Sequence, residues 1–228
     1  MPAYRSSAEA DIREAVVARI REHRPAARII HEIVTRDINT NRIDVLAVSR
    51  AEIIAVEIKS ERDKLDRLPD QIKAMSRCSH RAIAAIHEKF LVEKESNQWA
   101  AHYERDGRFY MGAVPKQADG AEAWVFPERV RAINPERRDY DWLSRWRFPS
   151  TALNMAVPPN ALCLLWRDEL AMLCFALRVS VGSRATVSDL SAALRWHCTG
   201  KELTLGICRL LRARECCEAD APIVEAAA

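Results

Sequence analysis

Asp44, Glu57 and Lys59 place two carboxylates and an ammonium on two short apolar segments, Arg42-Ile43-Asp44-Val45-Leu46-Ala47-Val48 and Ile53-Ile54-Ala55-Val56-Glu57-Ile58-Lys59. Branched aliphatics on both sides of the polar stretch Ser49-Arg50-Ala51-Glu52 read as a β-hairpin. A turn centred between Arg50 and Ala51 sets Asp44 opposite Glu57. Directly opposed residues on one face have Cβ atoms roughly 4.5–5.5 Å apart, close enough for two carboxylates to share a divalent cation. Side chains alternate along a strand, so Glu57 and Lys59 share one face while Ile54, Val56 and Ile58 fill the other. Two oxygen ligands beside an ammonium are the equipment of phosphodiester hydrolysis.

A solvated surface hairpin also carries Glu and Lys on its outer side. Here Ile53 and Ala55 precede Glu57 on its own face, so the strand reads as buried on both sides until it presents an acid and a base. A buried carboxylate without a partner is costly, and a cation is the usual remedy.

The elements that must position these groups are legible around the hairpin. Ala8 to Glu22 has the periodicity of an amphipathic helix with Ile12, Val16, Val17 and Ile20 inward. Glu9 falls at the edge of that buried face, where it serves either as the acid of a capping box with Ser6 or as a metal ligand. Arg28 to Val34 reads as a strand with Glu32 on the face of Ile30 and Val34, within reach of the site. After Lys59, Leu65, Leu68, Ile72 and Met75 recur at helical spacing, with Pro69 near the helix start. Gln71, near that start, looks back towards Glu57. Ala82 to Ile86 is a buried strand, and strand-helix-strand order favours a parallel crossover.

In this order the residues resemble the PD-(D/E)XK nucleases, the restriction-endonuclease-like superfamily. The likeness covers about residues 5–90, with weaker strand signals to roughly 134, and Ile43 stands where the eponymous proline would precede the aspartate. The expected fold class is α/β (α+β), with an αβββαβ core around a mixed sheet and a helical C-terminal region. The resemblance implies that Asp44, Glu57 and the carbonyl of Ile58 hold Mg2+ or Mn2+, with Glu9 completing the shell and Glu32 as a further contributor. It implies that Lys59 orients the attacking water, that Gln71 orients water or a phosphate, and that the substrate is DNA. The alternative it leaves open is a catalytically silent nucleic-acid-binding protein on the same fold.

Composition agrees with a folded domain. At 228 residues, 49% hydrophobic and 29% charged, the chain is long enough for a substantial core and too apolar for a disordered one. A basic leader followed by an apolar stretch is absent, as is an apolar run of membrane-spanning length, so a cytosolic location is expected. Seven cysteines, an odd number, lack paired C-x-x-C spacing. His197, Cys198, Cys208, Cys216 and Cys217 crowd together without the spacing of a zinc module, so reduced buried thiols are expected.

A net charge of +3 is compatible with nucleic acid, and Arg178 to Arg214 holds seven basic residues against two acidic ones. In residues 99–134, Asp106-Gly107 marks a hairpin, and Trp124-Val125-Phe126 extends the sheet or covers an edge. Tyr140, Trp142, Trp146 and Phe148 interleave with Arg145 and Arg147. Such rings stack bases or, as the simpler account, pack a junction. From Asn160 the pattern is helical, and the two segments around Thr199-Gly200 read as a helix-turn-helix or as an ordinary helical hairpin. The expected division is a nuclease-like domain over 1–134, a junction over 135–159, a helical domain over 160–217 and a flexible tail over 218–228.

Overall fold

The computed structural model describes residues 7–36, 42–152, 155–216 and 218–224; Ser6, expected as a helix cap, lies outside them. The core runs α1 (Ser7–His23), β1 (Arg28–Val34), β2 (Arg42–Val48), β3 (Ile53–Lys59), α2 (Leu68–Cys78) and β4 (Arg81–His87), the αβββαβ order expected. At the central turn the Ser49 N–H donates to the Glu52 carbonyl at 2.9 Å. It sets Val45 against Val56 and Val48 against Ile53, the register read from the sequence. The ladder ends at Val45–Val56, one pair short of Asp44 and Glu57, so this end of β3 is hydrogen-bonded to β4 and left open towards β2.

β4 lies parallel to β3, and β8 (Glu122–Phe126) lies parallel to β4, giving a mixed sheet in the order β1-β2-β3-β4-β8. Trp124 and its neighbours thus extend the sheet. The hairpin at Asp106-Gly107 joins β6 (Tyr103–Arg105) to β7 (Arg108–Ala113), and with β5 (Val92–Ser96) it forms a separate three-stranded sheet. Both turn residues have positive φ, 52° and 73°, as a two-residue hairpin turn compatible with strand twist requires.

Each face of the main sheet is covered because β3 is buried along its whole length. On one face Ile12, Val16 and Ile20 of α1 pack on Val45, Ala47, Ile54, Val56 and Ile58. Trp146 closes this layer, stacked on Trp124 at 5.0 Å between ring centroids and donating from Nε1 to the Val125 carbonyl. On the other face Leu68, Ile72 and Met75 of α2 pack on Leu46, Val48, Ile53 and Ala55.

The C-terminal helices are α3 (Arg167–Ala176), α4 (Val187–His197) and α5 (Gly200–Ala213). Leu173, Leu194, Ile207 and Leu211 of these helices belong to the same apolar cluster as the α2 face of the sheet. These helices therefore share an apolar core with the sheet. Of the basic residues of this stretch, Arg214 pairs with Glu169 and donates to the Leu164 carbonyl, and Arg212 is buried, so these two point inward.

The segment expected to fray beyond residue 217 docks instead on the edge of β1. His31 N–H donates to the Glu218 carbonyl at 2.8 Å, and Asp220 N–H to the Ile29 carbonyl at 2.9 Å. The Asp220 carboxylate accepts from Ile29 N–H and pairs with Arg21 at 2.7 Å. An open strand edge is a liability, and this segment caps it. Asp220→Ala should cost about 1–2 kcal/mol of stability in urea unfolding, since it strands a partly buried N–H; an unchanged midpoint would show that water replaces the carboxylate.

Candidate active site

The open end of the β2–β3 hairpin carries the acids. Asp44 Oδ2 accepts the Ile58 N–H at 2.8 Å, taking the place of a ladder bond from β2. A strand residue's N–H and C=O project to the same side, so the Ile58 carbonyl also faces Asp44. Glu57 is 3% exposed. Its Oε1 accepts from the Lys59 ammonium at 2.7 Å and, in a short hydrogen bond, from Gln71 Nε2 on the first turns of α2. The structure thus brings Asp44, Glu57, Ile58, Lys59 and Gln71 together. Gln71 arrives because the Leu68, Ile72 and Met75 stripe that seats α2 on the sheet leaves it facing β3.

Two atoms of this group are left over. Glu57 Oε2 and Gln71 Oε1 are both buried and make no hydrogen bond. Buried acceptors of this kind normally have a partner, and an orphan calls for an explanation such as an ion or water. Burial pushes the Glu57 carboxyl up to about 8, with repulsion from Asp44 adding to it and Lys59 and Gln71 opposing. Burial raises the Asp44 carboxyl as well, against the pull of the Ile58 N–H, Arg13 and Lys59. Both acids are held in a setting that penalises their charge, a pattern found at functional sites.

Glu9 and Glu32, expected to complete a metal shell, are directed to Arg13. This guanidinium is 1% exposed and donates to Glu9 Oε1 at 2.6 Å, to Glu32 Oε1 at 2.7 Å and to the Asp44 carbonyl at 2.6 Å. Glu32 also pairs with Arg42 at 2.6 Å. Its backbone has φ 55°, which breaks the strand alternation that was to align it with Ile30 and Val34. Among the described residues no group of three or more His, Cys, Asp or Glu side chains is placed to hold a metal ion. Two carboxylates, an amide oxygen and a strand carbonyl nevertheless suit Mg2+ or Mn2+, hard cations that take oxygen ligands and keep several waters.

Sequence reading missed Arg13, although a signal was present. On a helix it lies next to Ile12 and at i+4 from Glu9, inside the Ile12, Val16, Ile20 stripe, where a charged residue must bring its own partners. Among the described residues the cysteine cluster forms no group placed to hold a metal ion. The described cysteines are free thiols, and burial pushes Cys208 up to about 12.

Residues 3–97 match the family model described as bacteriophage P4 protein cII. That span is under half of the chain and contains Asp44, Glu57, Lys59 and Gln71. No curated protein and no solved structure matches the chain. The expected membership of the PD-(D/E)XK superfamily is corrected by this match to a different family. The reason is the brevity of the motif: two acids and a lysine on a hairpin can be met in unrelated sequences, and they specify a local geometry, not a lineage. Among the described residues no helix is long and apolar enough to cross a membrane.

Proposed function

We propose that the chain hydrolyses phosphodiester bonds of DNA with the help of a divalent cation, Mg2+ or Mn2+. The observation that carries this reading is the pair of orphaned, buried oxygens, Glu57 Oε2 and Gln71 Oε1, beside Asp44 and a lysine. Asp44, Glu57 and the Ile58 carbonyl would hold the cation, with Gln71 at its margin. A cation bound there supplies Lewis-acid stabilisation of the charge that builds on the phosphate. Lys59, held against Glu57, is placed to orient a water or to meet a phosphate oxygen as a point charge. Asp44 is fixed by the Ile58 N–H on one side and, through its carbonyl, by Arg13 on the other, so the acid does not have to be reorganised when substrate arrives.

The test is an assay of linear, circular and branched DNA with Mg2+, Mn2+ or EDTA, using the parent chain and Lys59→Ala. Cleavage that needs the metal and falls by about 100-fold in Lys59→Ala is expected. Cleavage that persists in EDTA, or at the parent rate in the variant, rejects the assignment. Binding of DNA without cleavage of any substrate would favour the silent, binding-only alternative.

A further inference from the structure

The aromatic-arginine segment of residues 140–148 divides in the structure. Trp146 and Phe148 fill the junction, Trp146 on Trp124 and Phe148 under the Arg24 guanidinium. Trp142 does not join them and stays 67% exposed, with Arg147 3.7 Å from its ring centroid. Trp99, before β6, is 51% exposed and carries Arg137 at 5.4 Å. Both rings line one cavity of about 320 Å3, together with His102 and Asp141. That volume is at the lower end of small-ligand pockets, which run to about 300–1,000 Å3.

We propose that this cavity receives an unpaired base of single-stranded nucleic acid, stacked on Trp99 and Trp142, with the neighbouring arginines meeting the flanking phosphates. The proposal rests on the nucleic-acid reading above and narrows it to substrate with a single-stranded segment. Three observations support it. The first is the pairing of both cavity tryptophans with a guanidinium, the combination that binds single strands without sequence preference.

The second is that the walls are built in advance. Asn97 Oδ1 accepts from the Trp99 and Ala100 N–H groups at 3.0 Å, fixing the turn that presents Trp99. The Asp141 carboxylate accepts from the N–H groups of Arg131, Ala132 and Leu143, fixing the turn that presents Trp142. With its charge absorbed by those donors, Asp141 does not repel an anionic ligand as an exposed acid would. His102 Nδ1 accepts the Gly112 N–H at 3.1 Å and its Nε2 lies 3.8 Å from Asp141 Oδ1, which fixes the ring in the cavity wall.

The third is position. β3, β4 and β8 are parallel, so Lys59, His87 and Phe126 finish at the same end of the sheet, and the cavity is built from the chain that leaves β4 and β8 there. Lys89 Nζ reaches the Asp63 carbonyl at 3.5 Å, tying that chain to the loop behind Lys59. The stretch from Pro127 to Arg147 carries six arginines against four acids, a surplus suited to a polyanion.

A fluorescein-labelled oligothymidylate of about 15 nucleotides, long enough for one stacking site, measures the binding by anisotropy in EDTA, where metal-dependent cleavage is silent. The parent chain should bind it, and Trp99→Ala and Trp142→Ala should each weaken binding by about 5- to 100-fold. Trp142→Phe, which keeps a ring, should recover most of the loss. Equal binding by the parent and both alanine variants, or the same dependence on the two rings for a blunt duplex, overturns the proposal. Normal cleavage with no ring-dependent binding rejects the pocket alone; ring-dependent binding with no cleavage under any metal rejects the hydrolytic reading alone.

Discussion

Glu57→Gln should reduce metal-dependent DNA cleavage by about 100- to 1,000-fold while leaving the metal-free chain folded and at least as stable at neutral pH as the parent. The two halves of this expectation have one cause. Burial and the neighbouring Asp44 push the Glu57 carboxyl up to about 8, so without a cation the side chain is held mostly neutral at pH 7. Glutamine copies that neutral form in size and hydrogen bonding and still offers an oxygen to Lys59. What it cannot copy is the charge that a hard cation needs. A functional acid thus separates from a structural one by its signature, lost activity with retained stability. A variant that unfolds at parent conditions, or one that cleaves at the parent rate, would remove Glu57 from the chemistry.

The same carboxyl makes a pH-dependent difference between the two proteins. Its ordinary value is 4.5 and its folded value about 8, so between these the folded chain holds a proton that the unfolded chain has released. This contribution to stability is complete below about pH 4.5 and is lost as the pH rises towards about 8. Urea unfolding from pH 5 to pH 8 without metal should therefore show the parent losing stability relative to Glu57→Gln. Saturating Mg2+ should reverse the trend in the parent alone, because the cation takes the place of the proton. Parallel curves for the two proteins would mean that Glu57 titrates in its ordinary range and that the buried oxygen finds water.

The hairpin was readable because local rules agreed. A polar four-residue turn, alternation and β-branched composition all select one register, and the acids follow from it. The placement of Gln71 was readable for a similar reason, since the stripe of Leu68, Ile72 and Met75 leaves one helical side for it. Glu32 was misplaced because one residue with positive φ reverses the face on which a side chain emerges, and nothing in Arg28 to Val34 announces it. The C-terminal helices were readable as helices, but their packing partner was not. Apolar periodicity says that a helix has a buried face but not what covers it, and Ile207 and Leu211 find the sheet layer instead of a core of their own. The docking of Asp220 on β1 joins residues almost the length of the chain apart, which no local pattern encodes.

Arg13→Met should destabilise the fold by about 3–5 kcal/mol, a large share of the roughly 5–15 kcal/mol that holds a domain together. Methionine fills similar space, so the cost is electrostatic. Two carboxylates, Glu9 and Glu32, lose a guanidinium that is 2.6 and 2.7 Å away in a buried setting. The Asp44 carbonyl loses its donor at the same time, which links the stability of this cluster to the placement of the candidate site. Adding Glu9→Gln to Arg13→Met should recover about 1–3 kcal/mol, because an amide tolerates the missing partner where a carboxylate does not. The double variant should nevertheless cleave DNA more slowly than the parent, since neither change restores the bond to Asp44. If Arg13→Met alone costs under about 1 kcal/mol, as an exposed pair would, the guanidinium is exchanging with water and does not position the acids.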